Sequence, residues 1–350
     1  MTIAIAILAY ILLISTIMPL VRSDYWTFRA MEYPRLQKWL MTVIVLILWG
    51  SMGPAEGIHY WFLTIALIAA VLYQSYQIYP YTPLASREVL TVKEEQRAST
   101  NSQLSLLISN IYQFNEQTAK LKEYINRMEP DIVLLLETNK WWQEQMSDIK
   151  EAYPHHIEVP LENTYGMLFY SRLPIGKPEV RYLINDGIPS IRCWINLPDG
   201  QRIRFFGLHP KPPAPSESIR TTEKDKELLL VAEECASFSG PIIVAGDLND
   251  VAWSYTTDLF QKMSRLLDPR RGRGFFNTFP VKYAIMRFPL DHIFCSDHFC
   301  LIRMRVLNSV GSDHFPVFVQ FHCAERHTED QATPEPDDGD KELAADKMNA

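Results

Sequence analysis

Four apolar runs in the chain end on a residue that can bind a hard cation or carry a proton: LSLLISN on Asn110, DIVLLLE on Glu137, IRFFGLH on His209 and PIIVAGD on Asp247. Aliphatic and β-branched runs of this length suit strands of a sheet covered on both faces. Burial does not explain their polar endings. In AGDLND, Asp247 and Asn249 are two residues apart, so in extended chain both side chains leave from one face and can converge on one ligand. Taken alone, the same pair suits a turn in which Asp and Asn cap their own backbone. Two further stretches put such residues ahead of an apolar run: PLDHIFCS with Asp291 and His292, and GSDHFPVFVQF with Ser312, Asp313 and His314. Ser312, Asp313 and His314 do not make a nucleophilic triad, because neighbours along an extended chain point to opposite sides. The sequence has no GxSxG elbow, Walker loop or HExxH, so the common competing chemistries lack their signals.

These residues need elements to hold them. NEQTAKLKEYINRMEP, between the first two runs, has helical apolar spacing and a closing proline. ESIRTTEKDKELLLVAEECASFS, ahead of the fourth run, reads the same way. YGMLFYSRLPI, SIRCWINLPDGQRIRFFGLH and PVFVQFH suggest hairpins and meanders. An α/β fold of two packed sheets flanked by helices accommodates both patterns.

Taken in order, ISN, LLLE, YGMLFYS, GLHPKPP, GDLND, PLDHIF and GSDHFPV resemble the motif series of the endonuclease/exonuclease/phosphatase superfamily across residues 102–322. That superfamily includes deoxyribonucleases, abasic-site endonucleases, inositol polyphosphate phosphatases and sphingomyelinases. The resemblance implies a four-layer α/β sandwich and hydrolysis of a phosphate ester by water, assisted by Mg2+ or Mn2+. It makes Glu137 the main metal ligand, with Asn110 helping and Asp313 contributing directly or through water. Asp247 matches the residue that orients or deprotonates the water, and Asn249 the one that holds it or a phosphate oxygen. His314 resembles the histidine on the scissile phosphate, with Asp291 fixing its tautomer, and His209 should reach a non-bridging or leaving oxygen. Either Asp247 or His314 could be the formal base. His292 is read as a packing residue.

LLDPRRGRGFFNTF gathers Arg265, Arg270, Arg271 and Arg273 beside Phe275 and Phe276, and Arg287 precedes PLDH. Arginines among aromatics can bind a nucleic-acid strand, a pyrophosphate or a lipid headgroup, so Arg271, Arg273 and Arg287 are expected to bind substrate. Trp141 and Trp142 either line the same cleft or cover the core.

The N-terminal residues are of another composition. Ile3 to Val21, Trp39 to Ala55 and Trp61 to Tyr79 are uncharged and apolar, which predicts three transmembrane helices within residues 1–80. Their ends are rich in Trp and Tyr. The expected order is then a linker over 81–100, the phosphoesterase domain over 101–323, and an acidic, disordered tail over 324–350. Similar membrane-anchored members are bacterial, which implies an inner-membrane protein. Arg22, Arg29, Arg35 and Lys38 follow the first span, and Arg87, Lys93 and Arg97 the third, which puts the domain in the cytoplasm by the positive-inside rule. The first loop could instead lie flat on a leaflet. A net charge of -7 supplies no general field for nucleic acid, and five cysteines without repeated CxxC spacing suggest neither a disulfide framework nor a zinc knuckle. The expected partners are the lipid bilayer and a phosphate-containing substrate, lipid or nucleic acid, with no obligate protein partner. A tethered phosphoesterase acting on a lipid or isoprenoid carrier is the leading reading. A tethered nuclease and a silent phospholigand-binding module are the alternatives.

Overall fold

The computed structural model describes residues 2–53, 57–94, 99–215, 217–324 and 331–349. Helices α1 (Thr2–Ile17), α2 (Trp26–Ala30), α3 (Arg35–Met52) and α4 (Ile58–Ile78) come first. α1, α3 and α4 pack through Ala9, Val45, Trp49, Leu63 and Leu67. Lys38 Nζ donates to Ser15 O at 2.9 Å and Thr2 Oγ1 to Met52 O at 3.3 Å, so α3 runs back beside α1 from one end to the other.

Among the described residues, two helices could cross a membrane by length and composition, Thr2–Val21 and Ile58–Tyr81, rather than the three expected. The middle helix falls short because its first turn carries Arg35 and Lys38 and the helix stops at Met52, leaving less apolar length than the ~20 residues a span needs. The expected end of that span at Ala55, linker residues 95–98 and tail residues 325–330 lie outside the described residues.

Next come β1 (Gln103–Asn110), α5 (Ala119–Met128), β2 (Ile132–Leu136), α6 (Lys140–Gln145), β3 (His155–Val159), β4 (Met167–Ser171), β5 (Ile175–Arg181), β6 (Ser190–Asn196) and β7 (Arg202–Leu208). They are followed by α7 (Thr222–Ala236), β8 (Ile242–Asp247), α8 (Tyr255–Ser264), β9 (Asp291–Cys295), β10 (Phe299–Val306), β11 (Val317–Cys323) and α9 (Asp338–Asn349). Among the described residues the strands form a six-stranded sheet, β10-β11-β1-β2-β4-β3, and a five-stranded sheet, β5-β6-β7-β8-β9. Both are mixed. Each holds one parallel pair joined through a helix, β1 with β2 and β7 with β8, and every other pairing is antiparallel.

Alternation along the strands sorts side chains between layers. Leu104, Leu106 and Ile108 face the inter-sheet core with Leu134, Phe169, Phe205, Ile243 and Ile293. Leu107, Val133 and Leu135 face outward onto Leu121 and Ile125 of α5. Phe206 and Val244 do the same under Leu228 and Val231 of α7 and Phe260 of α8. Trp142 is fully buried in the α5 layer and Trp141 packs against it, so both cover the core. All five cysteines are buried thiols.

Residues 338–349, expected to be disordered, form α9. Its Ala344 packs with Leu229 and Leu259, and Lys347 Nζ lies 2.6 Å from Asp225 Oδ2. The helix formers of KELAADKM make this possible. The acidic composition hid it, because the surface that α9 covers belongs to distant parts of the chain.

Candidate active site

The parallel pairs bring the C-terminal ends of β1, β2, β7 and β8 to one edge of the sandwich. Antiparallel pairing brings the start of β9 to the same edge, opposite the end of β8, with Asp247 facing Asp291. It likewise sets β11 against β1, with Ile108 beside Val317, so the segment just ahead of β11 arrives there carrying His314. Polar residues at those six strand ends therefore meet.

Asn110 is fully buried and links two carboxylates through its amide, donating to Glu137 Oε1 at 2.7 Å and to Asp247 Oδ2 at 3.1 Å. Glu137 turns into the site on a left-handed backbone with φ 58°, a conformation Glu rarely adopts. Asp247 reaches its place because Gly246 lets β8 lie close to β7; a Cβ there would fall 1.9 Å from Leu208 O. Asp247 Oδ1 accepts the Asn249 amide N–H at 2.9 Å. Asn249, at φ 50°, donates from its side chain to Pro210 O at 3.0 Å.

His314 sits between two acids. Its Nδ1 is 2.9 Å from Asp291 Oδ2 and its Nε2 is 3.5 Å from Asp247 Oδ2, with the Phe279 ring against its face. Burial works against charge on His314, but Asp291, Asp247 and Asp313 outweigh it and lift its pKa to about 10. Burial pushes Asp247 above its ordinary value, with His314 opposing and Asp291 adding to the rise. Burial lifts the Glu137 carboxyl to about 7, against the hydrogen bond from Asn110 and the charge of His314. His209, under the Tyr165 ring, is lowered by burial to about 4 and is neutral at pH 7.

Other predicted residues lie differently. Asp313 is exposed, and its side chain reaches only toward the Ser312 hydroxyl at 3.4 Å. Arg271 and Arg273 turn away from the cluster onto the linker: Arg271 pairs with Glu88 at 3.3 Å, and Arg273 Nη2 donates to Val89 O at 2.6 Å. A loop rich in arginine had suggested substrate; buried backbone carbonyls and a carboxylate of residues 88–91 take those donors instead. Arg287 donates to Val281 O at 3.0 Å and stacks over Phe315, next to His314. His292 is a packing residue, accepting from Arg270 on Nδ1 at 2.7 Å and donating from Nε2 to Asp250 O at 2.8 Å.

Several supporting residues carried no local signal. Thr278 Oγ1 accepts the Leu290 and Asp291 amide N–H groups, both at 3.2 Å, and so seats Asp291. Ser312 Oγ donates to Asn110 O at 2.8 Å and accepts the His314 amide at 3.0 Å, tying β1 to the histidine. The loop between α1 and α3 closes the site from behind. Arg29, 1% exposed, pairs with Asp250 at 2.6 Å and Glu32 at 3.0 Å and hydrogen-bonds Thr256, while the Tyr33 hydroxyl donates to Asn249 O at 2.7 Å. Burial would raise the Asp250 carboxyl, but Lys224 and Arg29 hold it below its ordinary value. Arg29 and Tyr33, which the sequence placed in a membrane loop, are thus built into the back of the Asp247–Asp250 turn.

Asp247, Asp291 and His314 each offer a ligand atom within 4.8 Å of the others, the one such group among the described residues. A cation fits the carboxylate cluster because Asp291 Oδ1 is buried without a hydrogen-bond partner, and burial opposes charge on the neighbouring Glu137 carboxyl. Two mixed sheets between helices, with a carboxylate and histidine cluster at the strand ends, define a metal-dependent phosphoesterase.

The chain belongs to the Endonuclease/Exonuclease/phosphatase family, whose model matches residues 107–314. It is 23% identical over 299 residues to a UPF0294 protein of Vibrio cholerae, covering 75% of this chain and 98% of that protein. An endonuclease/exonuclease/phosphatase family protein of Bacteroides thetaiotaomicron has a similar structure, with TM-score 0.51, 20% identity, and 63% and 97% of the two chains covered. The human Nocturnin catalytic domain with bound sulfate anion also matches at TM-score 0.51, with 15% identity and 68% and 97% covered. These similarities to solved structures are similarities of fold.

Proposed function

We propose that this chain is a membrane-anchored, Mg2+- or Mn2+-dependent phosphoesterase that uses water to hydrolyse a phosphate ester or pyrophosphate carried by a lipid or isoprenoid. The observation that carries the reading is the contact between the α1–α3 loop and the catalytic turn, Arg29 on Asp250 and Tyr33 on Asn249. An active site bolted to a membrane segment is suited to a substrate that stays at the bilayer.

The same contact bears on topology. The α1–α3 loop and the catalytic domain touch, so they lie on one side of the membrane. The domain follows α4, so an odd number of crossings must separate it from the N-terminus if α1 crosses. Only α1 and α4 among the described helices are long and apolar enough to cross by length and composition. α3 nonetheless runs back beside α1 from Ser15 to Thr2, which supports three crossings with α3 as a short span packed against the other two. By the positive-inside rule this side is the cytoplasm.

The cation would be held by the Glu137 carboxylate with Asp247 adjoining; Asn110 positions both through its amide NH2 while its Oδ1 accepts the Tyr112 N–H at 3.0 Å, and His314, with Nδ1 on Asp291, stays a proton carrier. When bound, it polarises the phosphoryl group and offsets developing charge. His314, charged between Asp291 and Asp247, donates to a phosphate oxygen. Asp247, raised by burial, is the better base of the two and takes a proton from water, which the free carbonyl of the Asn249 side chain helps to orient. His209, neutral, can donate to a second oxygen. Asp313, exposed at the edge of the site, acts through water.

With Arg271 and Arg273 turned onto the linker, the nuclease alternative rests on the family and the site cluster alone, without the arginine loop. The test is Mg2+-dependent hydrolysis by detergent-solubilised full chain, with an isoprenoid pyrophosphate, a phospholipid and plasmid DNA offered in parallel and Glu137→Gln as control. Turnover of a lipid substrate alone is the expected result. Nicking of DNA that disappears in the control would replace this reading with a tethered nuclease.

A further inference from the structure

A second cavity, of about 460 Å3, lies where the end of α1, the start of α3 and the end of α4 meet the catalytic domain. None of Asp247, Asp291 and His314 lines it. Its walls include Arg22, Arg35 and Arg271, with Tyr73, Tyr76 and Trp253 between them.

Arg35 decides its chemistry. The residue is 4% exposed and begins α3, and its Nη1 has no hydrogen-bond partner. Its nearest carboxylate, Glu32, is 3.9 Å away and is already engaged by Arg29 at 3.0 Å. A buried guanidinium with unused donors is costly unless an anion meets it. Arg271 is held by Glu88 and Asp258 at 3.3 and 3.4 Å and over the Tyr81 ring, but its Nε keeps no partner. Arg22 is exposed at the rim.

The acidic residues of the wall do not cancel this charge. Glu32 is answered by Arg29, and Asp258 by Lys262 at 2.9 Å as well as by Arg271. The first turn of α3 adds the positive end of a long helix. Pro19 and Leu20 continue the wall onto apolar α1, and Tyr76 is 76% exposed beside them. Guanidinium groups inside, apolar surface leading out and aromatics at the lip match a phosphate group attached to an acyl chain.

We infer that this cavity is a binding site for the phosphate of an anionic phospholipid headgroup, separate from the catalytic cluster. The inference rests on the membrane reading above. A lipid seated there joins all three helices to Trp253, which follows the turn that carries Asp247 and Asn249.

The experiment uses the full chain in a neutral detergent and reads the melting temperature and lipid retention by native mass spectrometry. Phosphatidylglycerol, phosphatidylcholine and inorganic phosphate are titrated separately. Phosphatidylglycerol should raise the melting temperature and be retained, phosphatidylcholine should do neither, and Arg35→Gln should weaken the response at least tenfold. Because a buried arginine is sensitive to replacement, Arg22→Gln at the exposed rim serves as the second variant, with a severalfold weaker response expected. A full response to inorganic phosphate alone would uphold the phosphate site and assign it to a soluble anion. Equal responses to the two lipids, or an unchanged response in both variants, would overturn the proposal. Carbonate extraction is run alongside: release of the protein from membranes would refute the membrane reading, and the phosphate titration would then decide this site on its own.

Discussion

Asp291 Oδ2 and His314 Nδ1 are 2.9 Å apart, and this contact turns the imidazole so that Nε2 faces Asp247 Oδ2 at 3.5 Å. The relationship fixes which nitrogen meets substrate. Thr278 holds the Asp291 backbone and Ser312 holds the His314 backbone, so neither partner depends on the other for its position.

Asp291→Asn tests that arrangement by keeping the shape and removing the charge. Hydrolysis of bis(p-nitrophenyl) phosphate should fall by about 100-fold in kcat with KM changed far less, because the loss is in charge stabilisation rather than in binding. Steady-state kinetics read the split. A loss confined to KM would mean that Asp291 serves binding alone.

The cation's position separates two donor sets. If Glu137 holds it, Glu137→Gln should weaken Mn2+ binding at least tenfold while Asp291→Asn changes it little. Isothermal titration of the full chain checks this without any substrate. The reverse order of effects would place the ion on Asp247, Asp291 and His314, whose donor atoms lie within 4.8 Å of one another. In either case chelation by EDTA should abolish hydrolysis and Mg2+ or Mn2+ should restore it.

Arg273→Gln should leave kcat/KM within about threefold and lower stability by ~1.5–3 kcal/mol, the value of hydrogen bonds from a charged donor. Its guanidinium donates to Val89 O, Thr91 Oγ1 and Pro269 O, all remote from the phosphate cluster. Denaturant titration beside a kinetic assay shows whether the loop supports the linker or the substrate. A large fall in kcat/KM with stability intact would return Arg273 to the site.

Strand ends were legible because the chemistry broke a pattern. Asn110, Glu137, His209 and Asp247 each end a buried run that has no use for them, and the structure brings all four to one edge. The arginine loop misled because charge composition does not say which donors are used up: Arg270 is spent on Asp268 at 2.8 Å, and Arg273 on backbone carbonyls. Arg29 was invisible for a different reason. Its partner Asp250 is 221 positions away, and nothing near either residue marks a pair that only tertiary packing creates. Thr278 and Ser312 share that fate, since a hydroxyl that seats a neighbour's backbone looks like any loop residue. The helix α9 was lost to composition, its few apolar residues being enough only because Leu229 and Leu259 wait for them.

Glu227 gives the chain a pH dependence remote from catalysis. It lies on α7 at 4% exposure, with Oε1 lacking a hydrogen-bond partner, and burial lifts its pKa to about 8, opposed by Arg181. The unfolded chain releases this proton near pH 4.5, whereas the folded chain keeps it to about pH 8. The stabilisation from the neutral carboxyl is therefore complete below about pH 4.5 and lost as pH rises to 8. Glu227→Gln keeps the neutral shape at every pH. Its melting temperature should match wild type at pH 5 and exceed it by several degrees at pH 8, where the wild-type group must ionise without a partner. Melting curves of both proteins at pH 5, 6.5 and 8 in one buffer series decide the matter, and parallel falls would show that Glu227 is charged and satisfied in the folded chain.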